Sequence, residues 1–125
     1  MAFKTFLINA HKCEIREIEI SGELEDYYKH IGCSMIQHVP SYTEGSPDLY
    51  VDEEGLWNKT GLWFVYAGFP QPLCGNAIAI GTDSEGETVA PDVTLEAMKE
   101  AVRFVDLIKI NGKIVALPRA PLEEG

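Results

Sequence analysis

The densest chemistry in this chain is the carboxylate run Asp52-Glu53-Glu54. Carboxylates ligate hard cations and serve as general bases. Three consecutive residues in a turn do not converge on one point unaided, so the plainer reading is a solvated acidic turn. Asp83, Glu85 and Glu87 alternate as calcium ligands do, but a calcium loop of that kind lies between two helices. Their flanks here have strand character. His30 and Cys33 stand three apart, His11 and Cys13 two apart, and His38 stands alone. Zinc sites show matched pairs at standard spacings, and neither pair is one. The segment Gly75-Asn76-Ala77-Ile78-Ala79-Ile80-Gly81 lacks the glycine patterns that cradle phosphates. These groups lead us to expect no catalytic residue, no metal ligand and no cofactor.

Aromatic side chains give a better candidate. Tyr42, Tyr50, Trp57, Trp63, Phe64, Tyr66 and Phe69 fall within one stretch beside a Pro-rich loop. Most such clusters are core. Two tryptophans near a loop also suit a ligand pocket or a protein interface. The candidate binding set is therefore Tyr50, Trp57, Trp63, Tyr66, Phe69 and Asn76, with Asp52, Glu53 and Glu54 as a neighbouring acidic turn.

Those residues must be held by elements, and the pattern of the chain supplies them. Phe3 to Ile8 and Glu14 to Ile20 read as strands of an N-terminal hairpin. The alternation of Ile15, Ile18 and Ile20 slips once near Arg16-Glu17, as at a bulge. Ser21 reads as a helix N-cap, followed by Glu23, Glu25 and Asp26 at the positive end of the helix dipole. Gly32 is the stop. Cys33 to Val39 reads as a strand ended by Pro40, and Leu49 to Val51 starts another.

Asp52 to Gly55 and Asp83 to Gly86 both read as hairpin turns, with Asp first and Gly fourth. Leu62 to Tyr66 fits a strand or a buried short helix. Cys74 to Gly81 reads as a central strand. Thr94 caps a second helix with a stripe of Leu95, Met98, Val102 and Val105. Leu107 to Ile110, Asn111-Gly112 and Lys113 to Leu117 form the clearest hairpin signal. Pro118 to Gly125 reads as a flexible tail after one domain over 1–117.

Length and composition bound the rest. The chain has 125 residues, 46% of them hydrophobic, which suits one self-sufficient core. Its 20 Asp and Glu against 10 Lys and Arg give a net charge of −10. Binding to phosphate backbones rests on Lys and Arg, so direct nucleic-acid contact is not expected. Anionic membranes would repel it, and no apolar run approaches the ~20 residues of a membrane helix. Cys13, Cys33 and Cys74 are odd in number and far apart, which fits a reducing compartment. No signal-peptide pattern opens the chain, and a cytoplasmic location in a bacterial host is expected.

Several short motifs resemble a family of small domains of unknown function found in bacteria and their phages. They are Ile36, Val39 and Pro40, then Asp52-Glu53-Glu54-Gly55 with Asn58 downstream, then Gly75 to Gly81. Asn76 stands where that family usually has Asp, and Gly61 where it has Ala. The resemblance covers roughly the first two-thirds of the chain and implies a phage or prophage setting without an activity.

The fold class expected is α+β: a mostly antiparallel β-sheet packed against two α-helices, in a single domain. The function expected is a non-catalytic accessory module that binds a protein partner or a small molecule. A homodimer is a further expectation. The alternatives are a small metal-dependent hydrolase acting on a phosphoester through the acidic turn, and an acidic mimic of DNA.

Overall fold

The computed structural model describes residues 2–43, 45–54 and 62–119. Its strands are β1 (Phe3–Asn9), β2 (Glu14–Ile20), β3 (Ile36–Val39), β4 (Asp48–Asp52), β5 (Trp63–Tyr66), β6 (Leu73–Cys74), β7 (Ala77–Thr82), β8 (Thr88–Val89), β9 (Val102–Ile110) and β10 (Lys113–Pro118). The helices are α1 (Leu24–Ile31) and α2 (Leu95–Ala101). All ladders are antiparallel. The strands divide between two sheets rather than forming the one expected. Sheet A runs β2-β1-β7-β4-β3 with β8 beside β7, and sheet B runs β10-β9-β5-β6.

Sheet A is covered on both sides, and side-chain alternation shows how. Phe6, Ile8, Leu49, Val51, Ala77 and Ala79 belong to one core, shared with Phe64, Tyr66 and Val102 of sheet B and Met98 of α2. Leu7, Ile78 and Ile80 belong to the other, shared with Tyr27 and Ile31 of α1. Neighbouring residues on a strand point to opposite faces. So β1 and β7 need apolar side chains at nearly every position, and they have them. Thr5 is the one polar buried residue there, and its Oγ1 donates to the Ala79 carbonyl.

The same geometry corrects the bulge expected near Arg16-Glu17. The β1–β2 register is continuous from Phe3↔Ile20 to Asn9↔Glu14. Ile15 is buried in the core facing sheet B, while Ile20 is buried on the α1 side with Ile18 packed beside it. The apolar phase slips because the strand's two ends bury opposite faces.

Helix α1 begins three residues after Ser21, with Glu23 at the N-cap position. Ser21 still contributes, since its Oγ accepts from the Glu23 N–H and its own N–H donates to Asp26. Gly32 ends the helix at φ 82°, as expected. Thr94 caps α2 by accepting from the Ala97 N–H at 3.1 Å. That helix stops at Ala101, so Val102 and Val105 lie on β9 and not on a helical stripe. Pairing of Val102–Val105 with β5 outweighs the helical periodicity there.

Trp63–Tyr66 resolves as a strand. Cys74 to Gly81 is split by Gly75, at φ 84°, into β6 in one sheet and β7 at the centre of the other. The expected β3 is shorter, at Ile36–Val39. Asp83 makes the turn foreseen for it: its Oδ1 accepts from the Glu85 and Glu87 N–H groups, and Gly86 sits at φ 82°. Asn111 and Gly112, at φ 51° and 80°, form the tight β9–β10 turn. Strand β10 includes Pro118, and the Arg119 N–H donates to the Phe104 carbonyl.

Candidate functional site

The expected binding set does not assemble into one surface. Tyr66 is buried in the inter-sheet core, where its hydroxyl donates to the Pro47 carbonyl. Burial, and then the nearby Asp48 charge, push its phenol well above the usual range. Phe69 packs at the edge of that core against Tyr42, ring centroids 5.4 Å apart. Tyr50 faces the other way, edge-on to Tyr27 under α1 at 5.0 Å. Asn76 Oδ1 accepts from the Ala10 N–H and ties two loops together. Trp57 lies outside the described residues, as do Gly55 and Asn58. Of the described aromatic members, Trp63 alone lies on a sheet face turned away from both cores.

The acidic turn is placed at the end of β4. Asp52 Oδ1 accepts from the Glu54 N–H, and the Glu53 N–H donates to the Met35 carbonyl. Asp52 and Glu54 border a cavity of about 420 Å³ with Lys29 and Cys33. Burial, then the Asp52 charge, push the Cys33 thiol up, which keeps it protonated and poorly nucleophilic. Two of the three histidines are occupied elsewhere. His30 Nδ1 lies 3.0 Å from the Asp26 carbonyl oxygen. His38 Nε2 lies 2.7 Å from Asp48 Oδ2, a pairing that residue spacing did not reveal because it depends on β3–β4 register. The other Asp48 oxygen accepts from the Ser41 N–H, while Ser41 Oγ turns to the Thr43 carbonyl. This His–Asp pair therefore has no hydroxyl aligned on it by Ser41. Among the described residues, no three His, Cys, Asp or Glu side chains come together as a metal site. All three cysteines are free.

The more promising surface is the outer face of sheet B. Directly paired residues in an antiparallel ladder share a face. Phe64 and Phe104 pair and face the core, so Trp63, Val105 and Pro118 share the opposite face, with Val65 paired to Arg103 beside them. A cavity of about 500 Å³ opens there between Val65, Val105, Ala116 and Pro118, with Arg103 and Arg119 also lining it. Arg119 is engaged: its Nη2 donates to the Trp63 carbonyl at 3.3 Å, and its Nε lies 3.4 Å from Asp106 Oδ1. The Arg103 side chain makes no ion pair or hydrogen bond among the described residues. An unpaired guanidinium beside an apolar cavity is notable in a chain with twice as many acids as bases. Spacing concealed it, because Arg103 falls on the solvent side if 95–105 is drawn as one helix.

A family model for a domain of unknown function, DUF3846, matches residues 3–103. The chain belongs to the DUF3846 family. The match continues past the short motifs that first pointed to such a family, through α2 and into β9. The DUF3846 region ends at Arg103, so most of β9 and all of β10 lie past it. The chain is also 26% identical over 93 residues to the uncharacterized protein y4iR of Sinorhizobium fredii (strain NBRC 101917 / NGR234). That alignment takes in 73% of this chain but only 56% of the relative's length. No solved structure matches this DUF3846 chain. No helix of the described residues is long and apolar enough to cross a membrane.

Proposed function

We infer that this chain is a non-catalytic binding module of phage or prophage type, working in the cytoplasm of a bacterial host. Its outer sheet B face takes a small molecule with an apolar body and one anionic group. The observation that carries this reading is the cavity of about 500 Å³ with the unpaired Arg103 at its wall. Small-molecule sites are concave, mostly apolar and fixed by few polar groups, and a guanidinium recognises carboxylate or phosphate through paired N–H donors. The phage or prophage setting rests on the motif resemblance alone. A phosphoester hydrolase has less support, because His30 and His38 are engaged by Asp26 and Asp48 rather than by the carboxylates of the acidic turn.

The test uses anilinonaphthalene sulfonate, an apolar anion, titrated into the folded protein and followed by its fluorescence. Saturable binding at one site is expected, weakened about tenfold or more by Arg103→Glu. Binding indifferent to that substitution, or none, would remove the reading.

A further inference from the structure

The β9–β10 hairpin is apolar on both faces. Its register puts Ile108, Ile110, Val115 and Leu117 on one face and Leu107, Ile114 and Ala116 on the other. In sheet A the same two-sided pattern is matched by a layer on each side. Here Ile108, Ile110, Ile114 and Leu117 remain 37%, 48%, 73% and 43% exposed. Strand β10 is also the end of its sheet, and its outward edge pairs with no described strand. Lysine and proline deter pairing at sheet edges, and Lys113 and Pro118 stand only at its two ends. Ile114 to Leu117 lie between them without such a guard.

Charge decides what fits this edge. Residues 103–119 hold Arg103, Lys109, Lys113 and Arg119 against a single carboxylate, Asp106. The chain as a whole has 20 acids to 10 bases, so the hairpin strands are net positive on an acidic molecule. We propose that β10 is a docking edge for an extended acidic segment of a partner protein, which adds to sheet B as its next strand. The ladder hydrogen bonds supply affinity, and side chains at alternate positions supply selectivity. Apolar residues in the middle of the segment cover Ile114 and Leu117, and a carboxylate at its end meets Lys113, Arg119 being already paired with Asp106. A second copy of β10 fits less well, since it would bring lysine and arginine to the same edge. A nucleic acid would leave the isoleucines and the backbone edge unused.

The probe is a fluorescein-labelled peptide, Glu-Glu-Val-Thr-Val-Ile-Glu-Glu, titrated into the whole chain and read by anisotropy. Saturable binding is expected, with slowed amide exchange at Ile114 to Leu117. Lys113→Glu and Ile114→Ser should each weaken it, the former about tenfold. Both side chains are exposed, and circular dichroism checks that the fold is kept. A backbone N-methylated peptide, and one with lysine in place of glutamate, should fail to bind. Arg103→Glu makes the same charge change away from the edge and should weaken binding by no more than about threefold, against about tenfold for Lys113→Glu, which separates this edge from the cavity. The proposal is overturned by absence of binding, by equal binding of the N-methylated or lysine peptide, or by displacement with duplex DNA. Sedimentation as a dimer that Ile114→Ser dissociates would equally overturn it, in favour of a second copy.

Discussion

Tyr27 and Tyr66 are both buried phenols, and they differ in what their hydroxyls meet. Tyr66 donates to the Pro47 carbonyl, whereas the Tyr27 hydroxyl is buried with no hydrogen-bond partner among the described residues. A buried polar group without a partner costs stability, and removing it recovers that cost. Tyr27→Phe should therefore leave stability unchanged or raise it by up to about 1–2 kcal/mol, while Tyr66→Phe should lower it by about 1 kcal/mol. Urea denaturation of the two variants checks the opposite signs. The pair also sets an alkaline limit. Burial, with smaller contributions from Tyr50 and Asp26, pushes the Tyr27 phenol up to about 12. The fold thus favours the neutral phenol, and this contribution is full below the ordinary value near 10. It is lost as pH rises from about 10 to about 12. Tyr27→Phe should flatten the fall in stability across that window; an unchanged slope would contradict this assignment.

At the scale of elements, the turn between β8 and α2 is held against β7 by a close approach that glycine alone permits. A Cβ at Gly81 would lie 2.7 Å from the Ala90 carbonyl oxygen. Gly81→Ala should cost about 1–3 kcal/mol through displacement of that backbone, measured as a lowered denaturation midpoint. This contact was invisible in the sequence, where Gly81 reads only as a strand end. Local signals carried well where local physics decides: the Asn111-Gly112 turn, the Asp83 turn, the Thr94 cap and the Gly32 stop all stand where their residue chemistry puts them. They failed where tertiary pairing decides. Val102 and Val105 keep helical spacing with Leu95 and Met98, yet β5 draws them into a strand. The candidate site fared likewise. Tyr50 and Tyr66 belong to one aromatic stretch, but alternation and a change of sheet send Tyr50 under α1 while Tyr66 and Phe69 go to the inter-sheet core. Arg103 became visible only once β9 was paired.

At the scale of the molecule, the division into two sheets explains both the stable centre and the exposed end. Strands β1 and β7 are flanked by partners on both edges and covered on both faces, so their amides open only when both cores do. Strand β9 begins inside the shared core at Val102 and leaves it by Leu107; past that point the hairpin carries isoleucine without cover. Composition foretold a core of sufficient size but not this asymmetry, because exposed and buried isoleucines count alike. Amide hydrogen exchange should follow the geometry. The slowest amides are expected in β1 and β7, intermediate ones in β5 and Val102–Val105, and the fastest strand amides in Ile108–Ile110 and Ile114–Leu117. Slow exchange at the hairpin in the isolated chain would mean that something already covers it there, and self-association would then explain the exposed isoleucines better than a waiting partner strand.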